Sequence, residues 1–181
     1  MQTLTWPTQA REKSLGVYLR VLATQLLFIT PLFWLMELAQ NHVWLWTTGQ
    51  WGWVYPTSPY GWFSFKSMTL WAGAVGLFWG LHYFWFYPRD VKPWVRIVVG
   101  GAVGWAGEWV GGFLAVKLTG QPLHVWPGSP LVYISVPALF FWMSNVITYH
   151  LLTVNVVDLT PGYDAPGDAL APSIDVASGD A

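Results

Sequence analysis

The sequence predicts an all-α integral membrane protein, a four-transmembrane-helix bundle made of two parallel two-helix repeats. Of the 181 residues, 54% are hydrophobic and only 9% are charged, whereas soluble domains carry about 25% charged residues. Fifteen Trp and eight Tyr suit the membrane–water interface, where amphipathic rings gather. The second half of the chain also repeats residue types of the first half at an offset of 71 positions.

Four stretches are apolar and long enough for spanning helices, each of which needs about 20 residues. They cover about 21–46, 65–87, 94–118 and 132–154. The predicted organisation is an N-terminal segment (1–20), a membrane domain (21–157) with repeats over 21–87 and 92–157, and an acidic tail (158–181). The tail has too few apolar residues to form a core, so we expect it to be disordered.

Basic residues predict the orientation of the bundle. Six of them precede the first span or lie between the second and third: Arg11, Lys13, Arg20, Arg89, Lys92 and Arg96. By the positive-inside rule, both termini are then cytoplasmic and the two repeated loops face outside. The formal net charge of −1 does not favour a nucleic-acid partner. The absence of Cys excludes disulfides and thiolate sites.

The repeat is carried by residue types that rarely coincide by chance. Matched pairs include Trp34 with Trp105, Glu37 with Glu108, Gly49 with Gly120, Gln50 with Gln121, Pro56 with Pro127, and Trp71 with Trp142. Because each copy contains two helices, both copies would insert in the same direction. Such parallel repeats are related by a pseudo-two-fold axis along the membrane normal.

Glu37 and Glu108 are the candidate catalytic residues. Each lies well inside an apolar span, where an ionisable group costs about 2.5–3.5 kcal/mol on insertion scales and usually marks a function. The pseudo-two-fold axis would place both carboxyls at one cavity, where neighbouring like charges separate an acid from a base. Alternatively, each Glu has a structural role and hydrogen-bonds neighbours such as Gln40, Asn41 or Asn145.

Aromatic and amide side chains near these acids are the candidate substrate-binding residues. They are Trp34, Trp105, Trp109, Trp71, Trp142, Gln50, Gln121 and Asn41. Trp34 and Trp105 lie three residues before a Glu and so share its helix face. Aromatic faces stabilise cations, although helix packing and loop capping are the alternative roles. Other aromatics near the repeated loops, including Trp53, Tyr55 and Trp126, are expected in an interfacial belt.

Histidine and glycine patterns indicate two further alternatives. His82 and His150 lie on parallel helices and could bind haem axially. His42 and His124 lie near the repeated loops, so a metal site with the Glu pair is an open alternative. It is not the predicted one, because the sequence lacks a compact spacing such as Glu-x-x-His. Gly100-x-x-x-Gly104 and Gly107-x-x-x-Gly111 are small-residue stripes that permit close helix packing within the bundle or, alternatively, a homodimer.

Several short motifs resemble membrane enzymes that modify carotenoid end groups. They are Glu108-Trp109-Val110-Gly111, Leu118-Thr119-Gly120-Gln121-Pro122, Ser135-Val136-Pro137 and Phe140-Phe141-Trp142. This pattern is similar to that of carotenoid hydratases, and the two-copy layout resembles the duplicated lycopene cyclase domain. One departure is that Ala138-Leu139 stands where that domain has two Glu before its Phe-Phe. The resemblance implies acid–base chemistry on a polyisoprenoid.

The sequence therefore predicts a multi-pass membrane enzyme that protonates an olefin of a carotenoid-like lipid. One Glu would donate a proton, and the other would remove one, giving cyclisation or isomerisation, or would activate water, giving hydration. No cofactor is implied. Two alternatives stay open: a non-catalytic Trp-rich subunit that binds pigment or lipid, and a small proton-coupled transporter.

Overall fold

The computed structural model describes residues 15–155, which form an all-helical structure. Its α-helices are α1 (Leu15–Thr48), α2 (Ser67–Gly80), α3 (Pro93–Thr119) and α4 (Ala138–Asn155), and α2 continues into a π-helical segment, Leu81–Phe86. The predicted tail and residues 1–14 of the predicted N-terminal segment lie outside the described range.

Two of these helices, α1 and α3, are long and apolar enough to cross a membrane. The first begins at Leu15, six residues before its predicted start, and is 34 residues long. The second begins with Pro93, whose fixed φ suits a first helical turn. It ends at Gly120, which has a left-handed φ of 75° that glycine adopts without steric cost.

The last helix begins later than predicted, at Ala138 rather than near residue 132. The residues before it form successive turns, with the Ala138 amide bonded to the Ser135 carbonyl at 3.2 Å. Pro137 then lies directly before the helix. The apolar residues 131–136 therefore belong to the loop, and apolarity alone did not distinguish them from the helix that follows.

The helices pack as two hairpins, α1 against α2 and α3 against α4. Aromatic rings of α2 and α4 join the hairpins at the centre. Trp71 and Trp142 have ring centroids 5.3 Å apart, and Phe78 lies 5.9 Å from Trp142 and 5.5 Å from Tyr149. All four residues are buried, so the core of the bundle is an aromatic stack between the hairpins.

Glycines of α3 allow α4 to approach closely. A Cβ atom at Gly104 would lie 2.3 Å from the Trp142 ring, and one at Gly101 would lie 2.6 Å from Met143. Part of the glycine-rich pattern thus serves packing inside the bundle. A homodimer through α3 stays a prediction.

The loops 49–66 and 120–137 fold inward and meet each other. Val54 and Val125 exchange two backbone hydrogen bonds of 2.9 Å in an isolated antiparallel bridge. Trp53, Tyr55 and Trp126 are at most 5% exposed. Their predicted place in an interfacial belt is therefore wrong, because their polar atoms bind the two glutamates inside the bundle.

Hydrogen bonds in the two halves occur in pairs 71 residues apart. The Trp34 indole donates to the Ser64 carbonyl at 3.1 Å, and the Trp105 indole donates to the Ser135 carbonyl at 2.8 Å. Further pairs with the same offset are Ser58 to Phe63 with Ser129 to Ile134, and Thr48 to Gln50 with Thr119 to Gln121. The matched residues of the sequence thus make matched local contacts.

A second buried polar group lies at the other end of the helices. Tyr149 donates to Gln25 at 2.5 Å, and the rings of His82 and His150 are 5.8 Å apart. The Arg96 guanidinium lies 4.9 Å from the Tyr87 ring centre. This group is separate from Glu37 and Glu108, and haem binding by the two histidines stays an alternative that the structure does not test.

We predict that Val132→Gly stabilises the protein. Val132 has a φ of 63°, and the residue 71 positions earlier is Gly61 with a φ of 68°. A β-branched residue in this left-handed region costs about 1–2 kcal/mol, and Val132 is exposed, so little packing is lost. Thermal unfolding in detergent should show a rise in stability, and Gly61→Val should show a fall. A lower stability of Val132→Gly would contradict the prediction.

Candidate functional site

A cavity of about 290 Å³ lies between the two hairpins, and both Glu37 and Glu108 line it. The rings of Trp71 and Trp142 and the glycines of α3 form much of the remaining wall. This volume is close to the lower end of about 300–1,000 Å³ that is typical of ligand sites. The cavity is thus large enough for a small ligand or one end of a larger one.

Four donors hold the Glu37 carboxylate. Its Oε1 atom accepts hydrogen bonds from the Trp53 indole at 3.2 Å and from the Tyr55 hydroxyl. Its Oε2 atom accepts from the Ser67 hydroxyl at 3.0 Å and the Trp71 indole at 2.7 Å. Ser67 shares its single hydroxyl proton with the Ser64 carbonyl at 2.8 Å, so the two indoles and Tyr55 contribute most to fixing the side chain.

Three donors hold Glu108. Its Oε1 atom accepts from the Trp126 indole at 3.1 Å and lies 2.9 Å from His124 Nε2. Its Oε2 atom accepts from the Trp142 indole at 2.5 Å. The same His124 nitrogen lies 2.9 Å from the Tyr133 carbonyl, which indicates a proton on Nε2, because both neighbouring atoms are acceptors. Glu108 therefore has a histidine partner, which Glu37 lacks.

Two tilted pairs of Trp rings connect the two carboxylates. Trp53 and Trp126 have centroids 4.8 Å apart, and Trp71 and Trp142 have centroids 5.3 Å apart. Each pair contributes one indole N–H to Glu37 and one to Glu108. The acids are thus placed by a common aromatic framework, and a change in one ring pair affects both.

The partners of the acids differ from those considered in the structural alternative. Gln40 donates instead to Ser144 at 3.3 Å and Asn145 at 3.1 Å. Asn41 donates to the Trp53 carbonyl at 3.0 Å and accepts from the Gly52 amide at 3.0 Å. Asn41 therefore holds the loop in place and acts on Glu37 only through Trp53.

Two loop residues have shifted pKa values. Burial alone would lower the pKa of His124, but its hydrogen bond to Glu108 and the charges of Glu108 and Glu37 raise it above the ordinary value. Burial, followed by the charge and hydrogen bond of Glu37, raises the pKa of Tyr55 well above its ordinary value. His124 is thus favoured as an imidazolium, and Tyr55 stays a neutral donor.

Of the predicted substrate-binding residues, Trp71 and Trp142 line the cavity beside both acids. Trp34 and Trp105 are turned to carbonyls of the loops, and Trp109 is 40% exposed and donates to the Leu131 carbonyl. These three do not line the cavity. Trp34 and Trp105 share a helix face with a Glu but do not enter the cavity. Each indole instead donates to a backbone carbonyl in the loop that follows its helix.

Gln50 and Gln121 also lie away from the cavity. Both side chains are exposed, and their backbone atoms bond the hydroxyls of Thr48 and Thr119. Gln50 lies at an outer surface depression instead. The repeated Thr-Gly-Gln segment thus caps the end of its helix. This is the alternative role given for it in the sequence analysis.

The sequence interpretation missed five residues that bind the acids: Trp53, Tyr55, Ser67, His124 and Trp126. Four of them are paired at the same offset, Trp53 with His124 and Tyr55 with Trp126. Each pair keeps an N–H or O–H donor but changes residue type. A comparison based on identical residues therefore passed over them, whereas a comparison of donor chemistry would have found them.

Comparisons of the chain with family models, curated proteins and solved structures find no match. Among residues 15–155, no three His, Asp or Glu side chains come together in a way that could hold a metal ion. The functional interpretation consequently depends on the geometry of the site.

We predict that stability falls as pH rises above about 6.5, the ordinary pKa of His. Since the pKa of His124 is raised in the folded protein, its contribution is complete below about 6.5 and is lost as pH rises through the folded value. Glu108, Glu37 and Tyr55 are the titratable groups around it. Melting temperatures across this range should fall for the wild type and much less for His124→Gln. Equal slopes would contradict the prediction.

Proposed function

We propose that the protein is a four-span membrane enzyme whose cavity binds the unsaturated end of a polyisoprenoid-like lipid and transfers protons to and from it. The observation that carries this proposal is that two fixed carboxylates and four indole rings line one largely apolar cavity. Aromatic faces and carboxylates together stabilise a cation. An apolar wall also suits an uncharged olefin.

The four-span arrangement is supported by lengths and surface composition. The α2 helix has 14 residues and the π-helical segment that continues it has 6, so this helical stretch is 20 residues long. The α4 helix has 18 residues. At 1.5 Å per residue these lengths approach the hydrocarbon thickness of about 30 Å. Large apolar side chains such as Leu27, Phe28, Phe84 and Phe140 are exposed, and lipid would cover them.

The paired contacts support an origin of the bundle from two parallel copies of one hairpin. Equivalent bonds recur at the offset of 71 residues, from the Trp–carbonyl contacts to the indole–carboxylate contacts. The bridge between Val54 and Val125 joins equivalent residues, as expected beside a pseudo-two-fold axis. We retain the orientation with both termini cytoplasmic, based on the positive-inside rule.

The two acids would have different roles. His124 and Glu108 form a pair that can hold a proton, whereas Glu37 is held by Trp, Tyr and Ser donors. A proton from the pair adds to one olefin carbon, and a C–H bond forms while the other carbon becomes cationic. Glu37 and the indole faces stabilise this cation. Return of a neighbouring proton to the pair restores a double bond, so isomerisation or cyclisation needs no co-reactant.

Non-catalytic binding of a pigment or lipid is the second candidate function. The observation that favours it is the complete hydrogen bonding of Glu37, which is also what a purely structural acid would have. Both candidate functions require the cavity to bind an apolar ligand. Only the enzyme requires Glu108 to exchange a proton, so chemical conversion of a ligand distinguishes them.

We predict that expression of the chain in carotenoid- and terpenoid-producing hosts changes the lipid profile through its two acids. Glu108→Gln should reduce product by about 100-fold or more, the usual contribution of an acid–base group. Glu37→Gln should reduce it through weaker stabilisation of the cation. Gln50→Ala, at an exposed position outside the cavity, is the control and should retain activity.

Product would be identified by chromatography and mass spectrometry, normalised to the amount of folded protein in the membrane. Wild-type expression that leaves the lipids of every such host unchanged would overturn the enzyme proposal. Unchanged product from Glu108→Gln would overturn the role of that acid.

A further inference from the structure

The two seams at which the hairpins meet are built differently. The seam between α1 and α4 is closed by amide and hydroxyl side chains. Gln40 of α1 donates to Ser144 and Asn145 of α4 at 3.3 and 3.1 Å. The bond to Asn145 lies beside the cavity, because Gln40 and Asn145 line it. A ligand cannot pass here without breaking these hydrogen bonds.

The opposite seam, between α2 and α3, has small residues at the equivalent positions. At the offset of 71, Gln40 corresponds to Gly111, Ser144 to Gly73 and Asn145 to Ala74. A Cβ atom at Gly73 would meet no atom within 4 Å, and one at Gly111 would meet only Leu70 of α2, at an ordinary van der Waals distance of 3.7 Å. No polar bridge joins α2 to α3 at these residues, and space is left where the other seam is filled.

The cavity extends into this open seam. Gly73, Gly107, Gly111, Leu70 and Leu77 belong to its wall. Gly73 and Gly107 are exposed, so the wall reaches the outer surface of the bundle there. Glu108 is 16% exposed and lies next to Gly107 in the chain. The acid that carries the His124 partner is thus beside the seam.

The same difference continues along the facing helices. Phe33 and Met36 of α1 correspond to Gly104 and Gly107 of α3 at the offset of 71. Phe33 is fully buried and packs against Trp71 with centroids 5.6 Å apart. In the second half, glycines replace both large side chains. At Gly104 the Trp142 ring takes the vacated space, whereas at Gly107 and Gly111 the nearest side chains are Leu77 and Leu70 at 3.6 and 3.7 Å. The loss of side-chain volume at Gly107 and Gly111 thus explains why the cavity reaches them.

We infer that the seam between α2 and α3 is a lateral entrance through which one uncharged isoprenoid chain enters from the bilayer, end first. Its wall consists of glycine and leucine with no charged side chain, and the acids lie farther inside. An apolar cavity of about 150 Å³ holds a benzene molecule, so about 290 Å³ holds one end group and a short length of chain. The rest of the ligand must remain in the seam and in lipid.

This inference deepens the proposed function, and its binding step can be tested without any turnover. The test uses an isoprenoid alcohol that carries a diazirine on its terminal group, added to the full chain in phosphatidylcholine nanodiscs. After photolysis, mass spectrometry locates the adducts. The expected sites are cavity residues, including Trp71 and Trp142, with few adducts along the seam between α1 and α4.

The decisive variant is Gly73→Leu combined with Gly111→Leu. The Leu at position 73 fills open space, and the Leu at position 111 is added beside Leu70, which a Cβ there already contacts at 3.7 Å. Together they should reduce cavity labelling by about tenfold, because forcing a ligand into the filled seam costs about 1–3 kcal/mol. Gly76→Leu is the matched control, since it adds the same side chain to open space on α2 away from the cavity. It should label as the wild type does, and melting temperatures should show that all variants fold.

The outcomes separate this inference from the proposed function. The entrance is supported if Glu108→Gln retains cavity labelling and the double Leu variant loses it. This holds even where no host lipid is converted. Undiminished cavity labelling of the folded double variant would overturn the entrance, even where lipid conversion is observed. Adducts confined to the outer, lipid-facing surface would also overturn it.

Discussion

The hydrogen bonding of two glutamates inside the bundle is the constraint on which the rest of the structure depends. An uncompensated carboxylate in an apolar interior is very costly, and hydrogen bonds to a charged group contribute about 1.5–3 kcal/mol each. The loops supply much of this compensation, through Trp53 and Tyr55 on one side and His124 and Trp126 on the other. Meeting this need draws both loops into the core, where they join at a single bridge.

The two halves use the same scaffold but surround their glutamates with different partners. A Trp from the second helix of each hairpin donates to the acid on the first, Trp71 to Glu37 and Trp142 to Glu108. The differences lie in the other partners, since Ser67 corresponds to Ala138 at the offset of 71. Together with His124, this change leaves Glu108 with fewer fixed donors and one histidine partner. A nearly symmetric framework thereby gives two unequal acids.

Much of the fold and the centre of the site could be predicted from the sequence. Apolar length and Pro or Gly punctuation located the helices, and matched rare residues singled out Glu37, Glu108, Trp71 and Trp142. The preference of Trp for the membrane interface led to a wrong prediction for Trp53 and Trp126, which are buried. A Trp ring can be buried when its N–H has a hydrogen-bond partner, and here the partners are the glutamates. The sequence comparison also missed the open seam between α2 and α3, because Gln40 and Gly111 are unlike residues. Gln40 bonds across its seam to Ser144 and Asn145, and only these contacts show that Gly111 has no such bridge.

The most direct test of a single cavity shared by both acids is the indole ¹⁵N–¹H spectrum of the labelled protein in nanodiscs, recorded during titration with an isoprenoid alcohol. Trp71 and Trp142 each donate to a different glutamate and line the same cavity. We expect their resonances to move together, with one common dissociation constant. Movement of only one of them, or bound alcohol that moves neither, would contradict it.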